Sequence, residues 1–341
     1  MSMTYKARLG WRRFFTGLLI FGIIMTVVLI CWFLWLGRYV VYYRDHAAFD
    51  FNLSKDFPSG QDAPETVQKD PVKIVINELD PEDGTVVYEQ TSIRGYYLTI
   101  EELKADFAGV REQLDKLPAG TAIMLDMKNI RGQFHYTTTN GPMAADIDIE
   151  AVDAFMEYLA QSNLYTIARI PAFRDRDYGL NNVPCGLPIK GGGGALWIDS
   201  ASCYWLDPTN DQVIGRLIQI ATELRNLGFD EVVFDEFRFP DTNRIVFDKD
   251  KTQAITDAAK MLVDACASDR FCISFIGTNA DFPLPQGHAR LYLSGVNAAD
   301  IETTAEKVQT DDPSIHLLFL TDVYDTRFDK YSVLRPLNTA H

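Results

Sequence analysis

Residues 209–240 read TNDQVIGRLIQIATELRNLGFDEVVFDEFRFP and contain a helical pattern followed at once by a strand pattern. Apolar residues recur at three- and four-residue spacing from Val213 to Leu227, which is typical of a helix with one buried face. Gly228 stands where a helix C-terminal cap is expected, and a short apolar run begins at Glu231. We therefore predict a helix that leads into a strand buried on both faces.

The same alternation extends along most of the chain. The run at 231–237 has six counterparts, at 95–99, 122–127, 165–170, 271–276, 289–293 and 316–320, and further helical patterns fall at 100–117, 148–162, 250–267 and 298–309. Alternating strands and helices indicate an α/β fold with right-handed crossovers. Seven strands over about 230 residues favour a closed (β/α)8 TIM barrel over an open sheet. The eighth strand has two candidate positions, 333–337 and part of 72–90, and the remaining possibility is an irregular barrel.

Polar side chains follow several of these strands, at the end of a barrel where active sites lie. The densest group is Asp235, Glu236 and Arg238, and the other strand ends carry Asp126, Lys128, Arg169, Asp175, Asp281 and Asp322. Carboxylates gathered in a cleft are typical of glycoside hydrolysis, in which one donates a proton and another attacks or activates water. Tyr136 and Trp205 lie near these strand ends, and aromatic rings suit stacking against sugars.

An uncharged stretch of 23 residues, FFTGLLIFGIIMTVVLICWFLWL, occupies 14–36. As a helix it would reach about 35 Å, enough to cross a hydrocarbon core of about 30 Å. No small-residue cleavage site follows it, which favours an uncleaved anchor over a signal peptide. Basic residues at 6, 8, 12 and 13 precede the stretch, and only those at 38 and 44 follow closely. The positive-inside rule then predicts a single-pass cell-membrane protein with a cytoplasmic tail at 1–13 and an extracytoplasmic body.

Between the anchor and the barrel we expect two short segments. Residues 37–71 are predicted to be a stalk, because 45–71 is polar and carries three prolines without clear periodicity. A hairpin is predicted at 72–90 around a turn at 81–84. The barrel is then expected to occupy 91–341.

The charge of the chain is unevenly distributed. The formal net charge is −15, yet the first 44 residues hold six basic groups and no acid, which leaves 26 basic against all 47 acidic residues in the rest. A body that acidic repels phosphate backbones, so we expect no nucleic-acid partner.

Cysteine and histidine usage bears on disulfides and metals. Cys31 lies in the uncharged stretch, and the body holds Cys185, Cys203, Cys266 and Cys272. In an oxidising compartment the local pairs Cys185–Cys203 and Cys266–Cys272 are expected, the alternative being small buried residues. The sequence has no C-x-x-C, and its five histidines are scattered, so no metal site is expected. The glycine run at 191–194 lacks the G-K-[ST] of a phosphate loop, and no cofactor is expected.

The order of these motifs resembles the bacterial "putative glycoside hydrolase" domain family, roughly over residues 91–280. The resemblance rests on LDMK at 125–128, IARI at 167–170, WLDP at 205–208, GFDE at 228–231 and FDEFRFP at 234–240. It implies a TIM barrel distantly similar to the α-amylase-type hydrolases, acting on a glycan, with Asp235 at the position of the nucleophilic aspartate. Glu236 stands where the family usually has Tyr. The Glu expected after the fifth strand is missing, since TNAD at 278–281 offers only Asp281.

Two functions follow from these observations. The first is a membrane-anchored glycoside hydrolase acting on a cell-envelope or extracellular polysaccharide. In it Asp235 is the nucleophile or base, Glu236, Asp281 or Asp322 is the acid, and the other charged residues orient the sugar. The second is an inactive barrel that serves as a glycan-binding or scaffold module. A second carboxyl near Asp235 would favour the enzyme, and a lone acid would favour the binding module.

Overall fold

The computed structural model describes residues 90–337, together with residues 25–26, 40–42 and 47–49. The chain divides into two units, residues 1–59 and 60–341. In the first unit two short strands, Val40–Tyr42 and Ala47–Phe49, pair antiparallel. No helix among the described residues is long and apolar enough to cross a membrane. The predicted anchor at 14–36 lies outside them except for Met25 and Thr26, and so does the predicted hairpin at 72–90 except for Gln90.

The second unit is a closed barrel of eight parallel strands, which confirms the predicted (β/α)8 class. The strands are β1 Arg94–Leu98, β2 Ala122–Asp126, β3 Tyr165–Pro171, β4 Glu231–Asp235, β5 Cys272–Ile276, β6 Leu291–Ser294, β7 Leu317–Leu320 and β8 Ser332–Pro336. Each pairs with the next, and β8 closes the barrel onto β1. The eighth strand therefore lies at the first of its two predicted positions.

Helices cover the outside of the barrel, more fully in its first half than in its second. They are α1 Ile100–Ala105, α2 Phe107–Leu114, α3 Ile149–Gln161, α4 Arg176–Asn181, α5 Asp211–Asn226, α6 Lys251–Cys266, α7 Ile301–Ala305 and α8 Pro313–His316. The pattern predicted as one helix at 100–117 is two, because Asp106 adopts φ −157° and caps α2 by accepting from the Gly109 N–H. The connection from β5 to β6 contains no helix.

The α5–β4 unit forms as its sequence indicates. Asn210 caps α5 by accepting from two backbone N–H groups of the first turn. The buried face of α5 includes Val213, Leu217, Ile220 and Leu224. Gly228 follows with φ +94°, a left-handed conformation that glycine adopts without strain, and this reverses the chain into β4.

The amino-terminal end of the barrel interior holds a buried charged network. Glu231, at the start of β4, is fully buried and pairs with Arg290. Its carboxylate also accepts from the Tyr165 and Tyr292 hydroxyls at 2.9 and 2.8 Å. Burial first, and the charge of Glu231 next, raise the pKa of both tyrosines well above its usual value. Arg290 donates in addition to two backbone carbonyls. We name these four side chains the base network.

The predicted disulfides are wrong in this structure, because all four body cysteines are free and buried. The Cys185 thiol lies 3.3 Å from the side-chain oxygen of Gln212, and Cys272 faces Ser274 inside the barrel at 3.4 Å. Burial raises the pKa of Cys272 to about 12 and that of Cys203 to about 11. The structure instead agrees with the alternative expectation, that these cysteines are small buried residues of the core.

Candidate active site

Three charged side chains meet at the carboxyl end of the barrel. Asp126 ends β2, Asp235 ends β4, and Arg169 lies on β3 between them, in register with Asp126. Alternate residues of a strand share a face, and the residues two positions earlier pack in the barrel interior: Met124, Ile167 and Val233. The same alternation therefore directs all three charged side chains into the barrel mouth.

Arg169 joins the two carboxylates. Its Nη2 and Nε lie 2.6 and 3.2 Å from Asp235 Oδ2, and its Nη1 lies 3.3 Å from Asp126 Oδ1. The side chains of Asp126, Arg169 and Asp235 are 26%, 34% and 23% exposed. They are thus bound to one another and still open to solvent. We name these three side chains the mouth trio.

A cavity of about 310 Å³ opens over the mouth trio. Its walls come from the chain after β1, from the β2–α3 loop and from β3. The lining includes Glu101, Lys104, Asn129, His135 and Asp146, in addition to the mouth trio and Lys128. A concave site with converging polar groups at the carboxyl ends of the strands is where a barrel enzyme binds its substrate.

The two carboxylates of the mouth trio differ in their surroundings. Burial raises the pKa of Asp126, and the negative charge of Asp235 adds to this, against the opposing effect of Arg169. Asp235 accepts from three donors, two on Arg169 and the backbone N–H of Glu236 at 2.7 Å. Asp126 is therefore a carboxyl that readily keeps a proton, while both oxygens of Asp235 accept hydrogen bonds.

Glu236 and Arg238 do not stand where the sequence placed them. Strand β4 ends at Asp235, two residues earlier than predicted, because Glu236 has φ +48° and breaks the strand alternation. Arg238 Nη2 lies 2.8 Å from Glu236 Oε2. The other oxygen of Glu236 accepts from Arg174 at 2.8 Å. Glu236 is absent from the cavity lining, so its predicted role as proton donor has no geometric support.

The two aromatic residues predicted to stack on sugars are buried. Trp205 is 3% exposed, donates to Asp199 at 3.1 Å, and has the Arg238 guanidinium over its ring at 4.9 Å. Tyr136 is fully buried and donates to Glu223 at 2.7 Å. Both rings pack against protein, which corrects the expectation that they contact substrate.

Lys128 and Asp175 form a buried cluster behind the cavity. Both Lys128 and Arg216 contact Asp175 Oδ2, at 2.8 and 2.7 Å. Burial alone would raise the pKa of Asp175, but the two cations outweigh it and hold this pKa below its usual value. Asp175 also caps α4 through Tyr178 N–H. Asp175 is fully buried and supports the β2–α3 loop, so its predicted contact with substrate is not seen, while Lys128 reaches the cavity wall at 3% exposure.

Asp281 and Asp322, the other predicted proton donors, are exposed and do not line the cavity. The backbone N–H of Asp281 bonds to the Asn279 side chain, within its own loop. The charge of Asp322 acts on Tyr97, whose pKa is raised by burial and then by this carboxylate. Among residues 90–337 and the short described segments, no group of three or more histidine, cysteine or acidic residues could hold a metal ion.

Several lining residues were missed from the sequence. His135 follows β2 by nine residues, and its Nδ1 lies 2.7 Å from the Asp126 carbonyl oxygen. Burial lowers the pKa of His135. Lys104 on α1 bridges Glu101 and Asp146 at 2.8 and 3.2 Å. The closeness of His135 to the LDMK motif was a usable signal, whereas nothing local links Lys104 to a residue 42 positions away.

Comparison with known proteins gives one family and several distant structures. Residues 95–270 match a family model described as "putative glycosyl hydrolase domain". No curated protein matches the chain. A solved hypothetical protein from Ruminiclostridium thermocellum is 24% identical over 52% of this chain and 96% of its own, with a TM-score of 0.45.

Two other solved structures also resemble the chain. An α-galactosidase from Lactobacillus brevis is 10% identical, with a TM-score of 0.49, over 74% of this chain and 38% of its own. The glycoside hydrolase domain of PelA from Pseudomonas aeruginosa is 12% identical, with a TM-score of 0.45, over 73% of this chain and 95% of its own.

Proposed function

The chain belongs to the family described as "putative glycosyl hydrolase domain", and from that premise we propose that it is a glycoside hydrolase. The observation that carries the proposal is the mouth trio: two carboxylates bound to a single guanidinium beneath an open cavity. Glycoside hydrolysis uses a pair of carboxyl groups on either side of the scissile bond. Asp126 supplies the second carboxyl near Asp235, which is what separates a hydrolase from a binding module.

The roles follow from the different surroundings of the two acids. Asp235 accepts three hydrogen bonds and is the nucleophile or base. Asp126, whose pKa is raised by burial, is the proton donor to the leaving oxygen. Arg169 contacts both, so it fixes the distance between them and stabilises negative charge on either one as the proton moves.

The substrate that we propose is a cell-envelope or extracellular polysaccharide. The full chain would be incubated with bacterial wall and capsular glycans, and new reducing ends would be measured, with Asp235→Asn as the background control. Release by the wild type alone supports the hydrolase. Saturable binding of a glycan without release would instead identify the barrel as a glycan-binding module.

We also propose that residues 14–36 anchor the protein in the cell membrane with the barrel outside. The support is the uncharged stretch of 23 residues and the excess of basic residues before it. Expressed in intact cells, the protein should sediment with membranes and lose its barrel to added protease. A soluble product that begins near Arg38 would contradict the anchor.

A further inference from the structure

The residue after Asp235 has an unusual backbone. Glu236 adopts φ +48°, in the left-handed region that a residue with a Cβ seldom occupies. Among the residues that the structure describes, Ser202, at φ +58°, is the other non-glycine residue with a positive φ. Backbone strain of this kind is found at functional sites where the surroundings enforce it.

This conformation is coupled, through the 235–236 peptide plane, to one contact of the mouth trio. The Glu236 N–H donates to Asp235 Oδ1 at 2.7 Å, while Arg169 binds Oδ2. Both oxygens of Asp235 are therefore held, one by a side chain and one by the backbone that follows it. With the chain on either side held in place, a return of φ at residue 236 to a negative value requires the 235–236 peptide plane to rotate. That rotation would turn this N–H away and leave Oδ1 without the donor.

Two arginines hold Glu236 in place. Arg174 Nη1 donates to Glu236 Oε1 at 2.8 Å, and Arg238 Nη2 contacts Oε2 at 2.8 Å. Arg174 is itself fixed by Asp199, at 2.7 Å from its Nε. The Glu236 side chain is 15% exposed. Its carboxylate thus accepts from a cation on each oxygen and is placed to restrain its own backbone.

We propose that Glu236 is a positioning residue for Asp235. Its carboxylate, clamped between Arg174 and Arg238, keeps the backbone in the left-handed conformation that orients the Asp235 carboxylate through the Glu236 N–H. The inference rests on the proposed function, in which Asp235 is the nucleophile or base. It replaces the role of proton donor that the sequence suggested for Glu236.

The test compares Glu236→Gly with Glu236→Ala in the full chain. Both variants remove the carboxylate and its contacts with Arg174 and Arg238, so they differ mainly in backbone preference. Glycine adopts positive φ freely, whereas alanine relaxes out of it. We expect kcat of Glu236→Gly to exceed that of Glu236→Ala by about tenfold. If Glu236 were the proton donor, both variants would be equally inactive, which would overturn the proposal.

Ser202 supplies the matched control, because its φ is similar and it does not line the cavity. Ser202→Gly and Ser202→Ala should differ in Tm as the residue-236 pair does, yet have equal kcat. A kcat ratio at Ser202 as large as that at Glu236 would show that the effect is general destabilisation and would contradict the proposal.

A second readout does not depend on hydrolysis. In ¹⁵N-labelled full chain, the amide resonance of residue 236 should move as Asp235 is titrated with acid, because this N–H donates to its carboxylate. The movement should be large in Glu236→Gly and clearly smaller in Glu236→Ala, where only the through-bond effect of the neighbouring carboxyl remains. If the wild type hydrolyses no glycan, the proposed function fails, but the amide titration still tests whether Glu236 positions the Asp235 carboxylate. Equal movement in both variants would refute it.

Discussion

The barrel holds two charged clusters of similar chemistry at opposite ends, and they differ in access to solvent. In the base network, the side chains of Glu231 and Arg290 are 0% and 2% exposed. Two tyrosine hydroxyls also donate hydrogen bonds to the Glu231 carboxylate. In the mouth trio, the side chains are 23% to 34% exposed and face a cavity. An ion pair that is closed off and fully hydrogen-bonded specifies structure, whereas one left open can exchange partners with a ligand.

The two ends of the barrel also differ in their ratio of carboxylates to guanidinium groups. At the base, one carboxylate is matched by one guanidinium. At the mouth, two carboxylates share one guanidinium, and burial raises the pKa of Asp126. A carboxyl whose pKa is raised and that lies beside a second carboxylate is suited to proton transfer.

The largest stability effect is expected at the base. Glu231→Gln keeps the shape of the side chain but leaves Arg290 buried without its counter-charge, which should lower the free energy of unfolding by about 3–5 kcal/mol. Denaturant unfolding of the full chain would measure it. The control is Glu302→Gln, which breaks an exposed pair with Lys330 and should have no measurable effect. Equal, small changes in both variants would remove the distinction between the two ends.

An intermediate effect is expected behind the cavity, where Gly132 supports the buried Lys128–Asp175–Arg216 cluster. A Cβ on Gly132 would lie 2.2 Å from Asp175 Oδ1, and the backbone φ there is +90°. Gly132→Ala should therefore destabilise the protein by about 1–3 kcal/mol. Gly120→Ala has a similar φ of +81° with open space around the Cβ. Gly120→Ala therefore measures the free-energy cost of the positive φ alone. A loss of stability in Gly132→Ala no greater than in Gly120→Ala would show that the contact with Asp175 is unimportant.

The smallest stability effect, of opposite sign, is expected at Asp126. Its pKa is raised by burial in the folded protein, so the folded state binds more protons than the unfolded state between the two pKa values. Stability owed to this group is therefore fully present below the unfolded pKa, where the carboxyl is protonated in both states, and is lost as pH rises through that interval. Asp126→Asn should be more stable than wild type at neutral pH, with the difference vanishing near the ordinary aspartate pKa of about 3.9 and below. If the difference in stability between Asp126→Asn and wild type grew toward acid pH, the pKa of Asp126 would be lowered in the folded protein, not raised.

The sequence predicted most of the fold because its signals are local. The apolar run at 231–237 and the spacing of Val213 and Leu217 needed no knowledge of distant residues. Strand alternation likewise placed Asp235 in the mouth. It fails at the next residue, because the positive φ of Glu236 ends the alternation, and Arg238 contacts Glu236.

The partners within the site could not be predicted in the same way. That Arg169 joins Asp126 and Asp235 depends on the register of three neighbouring strands, which are separated by 43 and 66 residues in the chain. The burial of Trp205 and Tyr136 depends on Asp199 and Glu223, which no motif marks. The disulfide prediction failed for a related reason: closeness in sequence says little about which face each cysteine occupies.

If chemistry lies at the mouth and stability at the base, substitutions at the two ends should separate the rate of hydrolysis from the Tm. The rate of reducing-end release would be measured for Asp235→Asn and Glu231→Gln, each corrected to the same folded fraction. We expect Asp235→Asn to keep the wild-type Tm and to lose about 10³-fold in kcat, and Glu231→Gln to have a lowered Tm and nearly wild-type kcat. Hydrolysis at an undiminished rate by folded Asp235→Asn would contradict it.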